Sequence, residues 1–226
     1  MKIGIISALD LEIELVKENL EIKNSFIIAG FQFYEGNYGN LDIILAICDV
    51  GKVNAASCTQ IMINKFEITH IINLGVAGSL KNDVYLYDLI ISDNLIHHDV
   101  RKTQMINRFP YQSSFKASGF LKSIAIKSAK NINKKYHIGR IVTGESFITE
   151  LKFKEKIIKD YNPHCVEMEG ASIAHVAYIN NIDFLVIRSI SDNANEETSL
   201  NDNIIQIASK NSGDLVLEIL KNINNN

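Results

Sequence analysis

The sequence predicts an α/β protein with parallel strands, and the segment His164–Asp192 is the main evidence for it. A short apolar run, Cys165–Met168, is followed by small and apolar residues at helical spacing over Glu169–Asn180. A second apolar run, Phe184–Ile190, completes the pattern of a strand, a helix and a strand. Because such a crossover normally joins two parallel strands, we expect these two strands to run parallel in one sheet.

Acidic residues stand where both of these strands end. Glu167 and Glu169 close the first strand, and Asp192 closes the second. The carboxyl ends of parallel strands lie on one edge of a sheet, where ligands of open α/β sheets bind. Glu169 is equally typical of the first turn of a helix, and Asp192 of a turn. Position at a strand end therefore leaves two interpretations of these residues open, a structural role in a helix or turn and a small-molecule site.

The chain opens with an apolar strand, Lys2–Ser7, followed by a helix that begins near Asp10. The spacing predicts that Leu11 and Leu15 form the apolar face of this helix. Glu12 lies in the first turn, where a carboxylate interacts favourably with the helix dipole. Surface capping and a chemical role for Glu12 are therefore both open.

The remaining elements follow from apolar runs bounded by glycine turns and from helical periodicity. Strands are predicted at Phe26–Ile28, Phe33–Asn37, Leu41–Ile47, Ile71–Leu74, Asp88–Ser92 and His137–Val142, and helices at Lys52–Phe66, Phe120–Asn131, Glu150–Lys159 and Ile204–Ile223. Residues 100–118 show no clear period and are predicted as a long loop, a kind of segment that is often functional. Residues 193–201 are predicted as a polar loop.

Composition limits the class of protein. The 226 residues suffice for one sizeable core, and the net charge of -3 shows no electrostatic footprint for nucleic acid. No apolar run approaches the roughly 20 residues that span a bilayer, and the first residues predict a strand rather than a signal peptide. The 3 cysteines have no metal-type spacing, which favours free thiols in a reducing cytoplasm.

Two further features allow a functional or a plain structural interpretation. His97 and His98 are adjacent, and neighbouring strand residues point to opposite faces, so these histidines do not easily chelate one ion. We expect neither a metal nor another cofactor. Phe147 follows a predicted strand and either stacks on a ligand ring or belongs to the core, which the sequence favours.

Six segments resemble the bacterial 5'-methylthioadenosine/S-adenosylhomocysteine nucleosidases, a family within the nucleoside phosphorylase superfamily. They are KIGIISALDLEIE at 2–14, INLGVAGSL at 72–80, SDNLIHHDV at 92–100, TGESFI at 143–148, VEMEGASIAHV at 166–176 and VIRSISDNA at 186–194. The resemblance implies a three-layer α/β/α fold with a central mixed, mostly parallel sheet, formed by residues 1–226 as a single domain. It also implies a homodimer that cleaves the N-glycosidic bond of an adenine thionucleoside, with water and the nucleoside as its small-molecule partners.

The resemblance further implies a role for each matching residue. Glu12 matches the carboxylate that activates water, and Asp192 matches the acid that acts on N7 of the departing adenine. Glu169 and the Met168 backbone match the ribose clamp. The other matching positions orient the site, stack on or read the base, or form the pocket wall: Glu167, Arg188, Phe147, Ile148, Ala8, Ala77, Gly78 and Ser191.

Four positions depart from the family pattern. Val76 stands where Ser or Thr is frequent, and Met105, Asn107 and Asp202 stand where aromatic residues often line the 5'-substituent pocket. Methylthioadenosine, S-adenosylhomocysteine, 5'-deoxyadenosine and aminodeoxyfutalosine therefore all stay open as substrates. A phosphorylase needs a cationic cradle, which residues 7–12 do not offer, and a storage or adhesion protein has no reason to keep Glu12, Glu169 and Asp192 together.

Overall fold

The computed structural model describes residues 1–194 and 202–225, and these form ten strands and seven helices. The strands are Lys2–Ser7 (β1), Glu21–Ile28 (β2), Phe31–Tyr38 (β3), Leu41–Ile47 (β4), His70–Ser79 (β5), Leu89–His97 (β6), Phe115–Lys116 (β7), Tyr136–Thr143 (β8), Cys165–Glu167 (β9) and Asp183–Asp192 (β10). The helices are Asp10–Glu18 (α1), Lys52–Phe66 (α2), Lys102–Asn107 (α3), Gly119–Asn131 (α4), Leu151–Tyr161 (α5), Gly170–Ile179 (α6) and Asp202–Asn224 (α7).

The strands form one mixed sheet that closes on itself at one end. β1 pairs in parallel with β4 and β5, and β10 pairs in parallel with β5 and antiparallel with β6. From β6 the pairing continues through β8 and β9 back to β5. Strands β5, β10, β6, β8 and β9 therefore form a ring, while β1, β4, β3 and β2 extend it as an open sheet.

The two strands that flank α6 do not run parallel, so this part of the prediction was wrong. β10 is parallel to β5, whereas β9 is antiparallel to β5, and β9 and β10 are not hydrogen-bonded neighbours. The apolar runs indicated where the strands lie and that they are buried. They carry no information on direction, which here follows from the closure of the ring.

Helices cover the sheet in two groups, which gives the three-layer arrangement that was expected. α7 packs against α1 and α4 and against strands β5 and β10, while α2 and α6 pack on each other. Strands β1, β5 and β10 are consequently buried along nearly their whole length. Among the described helices, none is both long and apolar enough to cross a membrane.

The buried face of α1 differs from the predicted one. Ile13 and Val16 point into the core together with Glu12, whereas Leu11 is exposed and Leu15 is half-buried. The carboxylate of Glu12 accepts three backbone hydrogen bonds at the inner side of the helix. Glu12 does cap the helix, because the N–H of Leu9 at the N-cap position donates to its carboxylate. The expected surface placement was wrong, since Glu12 is buried.

Secondary structure interrupts one of the two segments that were predicted as loops. Residues 100–118 are not one irregular loop, because α3 and the short strand β7 lie within them. Both elements are too short to give a recognisable sequence period. The predicted polar loop at 193–201 lies, from 195 onward, outside the described residues.

Candidate active site

A cavity of about 420 Å³ opens at the carboxyl end of β5. Twelve of the residues singled out from the sequence line it, and they come from five separate stretches of the chain: Ala8, Glu12, Val76, Ala77, Gly78, Phe147, Ile148, Glu167, Met168, Glu169, Ser191 and Asp192. Arg188 is the exception, because it lies buried behind the cavity wall. Phe147 lines the cavity and is 46% exposed, so the core placement favoured from the sequence was wrong.

Gly78 on β5 is the point where the walls of the cavity meet. It is paired with Val166 of β9 on one side and with Asp192 of β10 on the other. A Cβ atom at this position would lie 2.7 Å from Oδ1 of Asp192. Glycine therefore lets the carboxylate of Asp192 pack directly against the β5 backbone.

Glu12 is a buried carboxylate held by backbone amides. Its Oε2 accepts the N–H groups of Ala8 at 3.1 Å and Leu9 at 3.0 Å, and its Oε1 accepts the N–H of Val76 at 3.0 Å. Burial raises the pKa of Glu12, against the opposing influence of the Arg188 charge and these three N–H groups. A carboxylate with a raised pKa is a stronger base than one in water.

Glu169 begins α6 and points across the cavity to the start of α2. Its Oε1 accepts the N–H of Gly51 at 2.9 Å. Burial and the neighbouring Glu167 raise the pKa of Glu169 from its ordinary value of 4.5 to about 8, although Arg188 and the Gly51 N–H act in the opposite direction. Glu169 thus holds a proton near neutral pH more readily than an exposed carboxyl group does.

Glu167 sits in a dense network of donors instead. Its Oε2 accepts the N–H groups of Glu169 at 3.1 Å and Gly170 at 2.7 Å, and its Oε1 accepts the hydroxyl of Thr143. The guanidinium of Arg188 also donates to it, in an ion pair that is almost fully buried. Glu167 therefore caps α6, which leaves the Glu169 side chain free to face the cavity.

Arg188 fixes this part of the sheet from behind. Besides Glu167, it donates to Oδ1 of Asn73 at 2.7 Å and to the carbonyl of Ile187 at 3.0 Å. Asn73 in turn donates to the carbonyl of Ile6 at 2.8 Å. The positive charge of Arg188 lies among three buried carboxylates and offsets part of their repulsion.

Asp192 lies at the end of β10 and is only half-buried. Its Oδ2 accepts the hydroxyl of Ser191 at 2.9 Å, and its Oδ1 accepts the N–H of Ala194 at 2.7 Å. These two bonds keep the carboxyl group at the cavity wall. The carboxyl group of Asp192 therefore faces whatever occupies the cavity.

Sequence reasoning missed several lining residues, of which most are small or apolar. They are Leu9, Val50, Ser146, Val166, Ala194 and Ile205. Leu9 and Val50 follow strands β1 and β4, and this position at a strand exit was the available signal. Ile205 belongs to the apolar pattern of α7, which gave no sign of a ligand site. Met105, Asn107 and Asp202 are absent from the described lining of the cavity.

The arrangement suits cleavage of a glycosidic bond. Such reactions pass through a transition state with positive charge on the sugar, which neighbouring carboxylates stabilise. One carboxyl group donates a proton to the leaving group, and another takes a proton from water. The surroundings of Glu12 and Asp192 differ in burial and in hydrogen bonding, as two such roles require.

Comparisons with known proteins agree with this chemistry. The model of the Phosphorylase superfamily matches residues 2–221. A 5'-methylthioadenosine/S-adenosylhomocysteine nucleosidase of Oceanobacillus iheyensis is 36% identical over 230 residues, which cover 99% of this chain and 100% of that protein. The crystal structure of such a nucleosidase from Neisseria meningitidis, in complex with methylthio-immucillin-A, matches with a TM-score of 0.93 at 31% identity, covering 98% and 99% of the two chains. The futalosine hydrolase of Helicobacter pylori matches with a TM-score of 0.92 at 30% identity, covering 98% of each chain.

Proposed function

Because this chain belongs to the phosphorylase superfamily, we propose that it is an N-glycosyl hydrolase of 5'-methylthioadenosine and S-adenosylhomocysteine. The products are adenine and the 5-substituted ribose. The observation that carries the proposal is the convergence of Glu12, Glu169 and Asp192 on one cavity. Nucleosidases of this kind match the chain over nearly their whole length, in sequence and in structure.

We propose that Asp192 acts on the base. Adenine is a poor leaving group as an anion, so a proton supplied at N7 lowers the barrier to its departure. Acid catalysis of this kind typically raises the rate by about 10²–10⁴-fold. Ser191 and the Ala194 N–H hold the carboxyl group in place. Phe147 would stack on the adenine ring, and the backbone of Ile148 would read its edge.

We propose that Glu12 takes a proton from the attacking water. Its three backbone hydrogen bonds fix its position, and its raised pKa makes it a better base near neutral pH. Glu169 and the Met168 backbone would bind the ribose hydroxyls, between Asp192 at the base and Glu12 at the attacking water. Ala8, Val76, Ala77 and Gly78 would form the wall against which the sugar and base pack.

A phosphate-dependent reaction fits the cavity poorly. Among the described residues that line it, there is no Lys or Arg, and Arg188 lies behind Glu167. Carboxylates beside a phosphate ion would repel it. Water is therefore the better nucleophile for this site.

Adenine nucleosides with other 5'-substituents are the second candidate class of substrate. The futalosine hydrolase of Helicobacter pylori matches this structure about as well as the methylthioadenosine nucleosidases do. Adenine and ribose recognition is compatible with aminodeoxyfutalosine and 5'-deoxyadenosine, since these differ at the 5'-position. Side-by-side rates for the four nucleosides would rank them.

The test is release of adenine in phosphate-free buffer by the wild type and by two variants. We expect Glu12→Gln and Asp192→Asn each to lose turnover by at least about 10²-fold while still binding adenine. Glu14→Gln, on an exposed position of the same helix, is the matched control. A strict need for phosphate would point to a phosphorylase, and an inactive wild type would favour a storage or adhesion protein.

We further propose a homodimer in which the segment 100–115 completes the neighbour's cavity. Support comes from two aromatic side chains of this segment, Phe109 and Tyr111, which are 69% and 67% exposed. Large apolar groups at this level of exposure favour burial against a partner.

We also propose that the protein is cytoplasmic. Cys48, Cys58 and Cys165 are free and buried, which supports a reducing compartment such as the cytoplasm.

We propose that residues 1–226 form one domain. The family match over residues 2–221 and the single sheet support this organisation.

A further inference from the structure

The loop that carries Phe147 has few polar contacts with the rest of the described structure. It separates the cavity described above from a second one of about 710 Å³, so both of its sides face open space. Within the described part of the chain, residues 146–149 make no hydrogen bond. Glu145, at the start of the loop, is therefore its nearest polar anchor on that side.

Glu145 is tied to two other segments of the chain. Its carboxylate Oε2 accepts the N–H of Lys52 at 3.1 Å, and its own N–H donates to Oδ2 of Asp99 at 2.9 Å. The ammonium of Lys52 closes the circuit, since it donates to both oxygens of Asp99 at 2.7 and 2.6 Å. Both partners lower the pKa of Asp99, against the effect of its partial burial.

The start of α2 connects this hydrogen-bond network of Glu145, Lys52 and Asp99 to the active site. The N–H of Gly51 donates to Glu169 inside the cavity, and the next N–H along the chain, that of Lys52, donates to Glu145 outside it. A Cβ atom at Gly51 would lie 2.7 Å from Oε1 of Glu145, so the carboxylate packs directly on this glycine. Two consecutive amides thus bind one carboxylate inside the cavity and one outside it.

We propose that Glu145, fixed by Lys52 and Asp99, is a positioning residue that aligns the base-stacking loop with Glu169. This inference rests on the function proposed above. Glu145 is not part of the described lining of the substrate cavity. It acts through Phe147, because residues 146–149 make no hydrogen bond of their own in the described structure and the loop is otherwise held by the packing of Ile148 on a buried apolar cluster.

The expected signature is a change in KM rather than in kcat. Stacking on the base contributes to the bound substrate and to the transition state alike, so loss of alignment weakens both equally. We expect Glu145→Ala to raise KM for methylthioadenosine about tenfold and to change kcat less than about threefold, as for loss of a charged hydrogen bond. Glu145→Gln keeps an acceptor for the Lys52 N–H and should recover part of the loss.

The decisive experiment is a double-mutant cycle with Phe147→Ala. If Glu145 acts through Phe147, the double variant has the same KM as Phe147→Ala alone. Glu150→Ala is the matched control, because Glu150 lines the same outer cavity and its side chain makes no hydrogen bond in the described structure. Asp99→Asn, combined with Phe147→Ala in the same way, serves if Glu145→Ala lowers the melting temperature.

The outcomes separate this inference from the proposed function. An active wild type whose Glu145→Ala variant has the KM of Glu150→Ala would overturn the positioning role alone. Additive losses in the double variant would do the same. An inactive wild type would overturn both, whereas raised KM values without further loss in the double variant would support the role.

Discussion

Two neighbouring carboxylates, Glu167 and Glu169, show how the surroundings of a residue set its role. Glu167 accepts hydrogen bonds from two amides, a hydroxyl and a guanidinium. Among the described residues, only the N–H of Gly51 donates to the Glu169 carboxylate. Glu167 is thus held in place by the fold, whereas Glu169 has hydrogen-bond acceptor capacity left for a ligand.

The raised pKa of Glu169 leads to a prediction about stability. The unfolded carboxyl group loses its proton near 4.5, whereas the folded one keeps it to about pH 8. Between these values the folded state binds more protons, so the free energy of unfolding falls as the pH rises through this window. We expect Glu169→Gln, which does not titrate, to lose less stability than the wild type between pH 5 and pH 8.

Denaturant unfolding at several pH values measures this difference. Glu14→Gln, which removes a carboxylate from an exposed position, is the control for the loss of one acidic group. An unchanged slope in Glu169→Gln would mean that the raised pKa of this group is not linked to folding.

At the scale of secondary structure, β5 organises the site. Its residue Val76 donates to Glu12, and Gly78 is paired with both β9 and β10. Gly75 lies against the Glu12 carboxylate, where a Cβ atom would come within 2.6 Å of Oε1. The position of the proposed base therefore depends on the absence of a side chain on this strand.

We expect Gly75→Ala to lower kcat by about 10²-fold, because it displaces Glu12 from its three hydrogen bonds. Gly119→Ala is the control, since a Cβ atom there meets nothing within 4 Å. Kinetics of adenine release, with circular dichroism to show that both variants fold, measure the effect. Full activity of Gly75→Ala would show that Glu12 tolerates displacement or is not the base.

The sequence predicted the elements better than their relations. Strands β1 and β4 and helix α2 have the predicted bounds, because apolar runs and glycine turns mark them clearly. The opposed directions of β9 and β10 were missed, since the pairing that sets them is non-local. The cavity-lining residues were predicted through motif resemblance. Their position at strand ends alone would not have distinguished them from turn and cap residues.

At the scale of the whole molecule, the open side of the cavity bears on assembly. Phe109 and Tyr111 lie in the segment that we propose to reach the neighbouring subunit, and both are largely exposed. A dimer would bury them and narrow the opening of the cavity to bulk solvent. Catalysis would then depend on association as well as on the carboxylates of one chain.

We expect Phe109→Asp to weaken the dimer and to lower activity at low protein concentration, because a charge would be buried at the interface. Ile27→Asp is the control, as Ile27 is 75% exposed on β2 at the outer edge of the sheet. Light scattering and activity over a dilution series measure both effects. A wild type that is fully active as a monomer would contradict the proposal.

The concentration of acidic groups around the cavity has a consequence for the choice among cellular adenine compounds. Glu12, Glu167, Glu169 and Asp192 line it, and the described lining contains no cationic side chain. AMP, ADP and ATP carry anionic groups at the 5'-carbon and would be repelled. We therefore expect the protein to discriminate against adenine nucleotides, which share the base and sugar of its nucleoside substrates but carry a phosphate at the 5'-carbon.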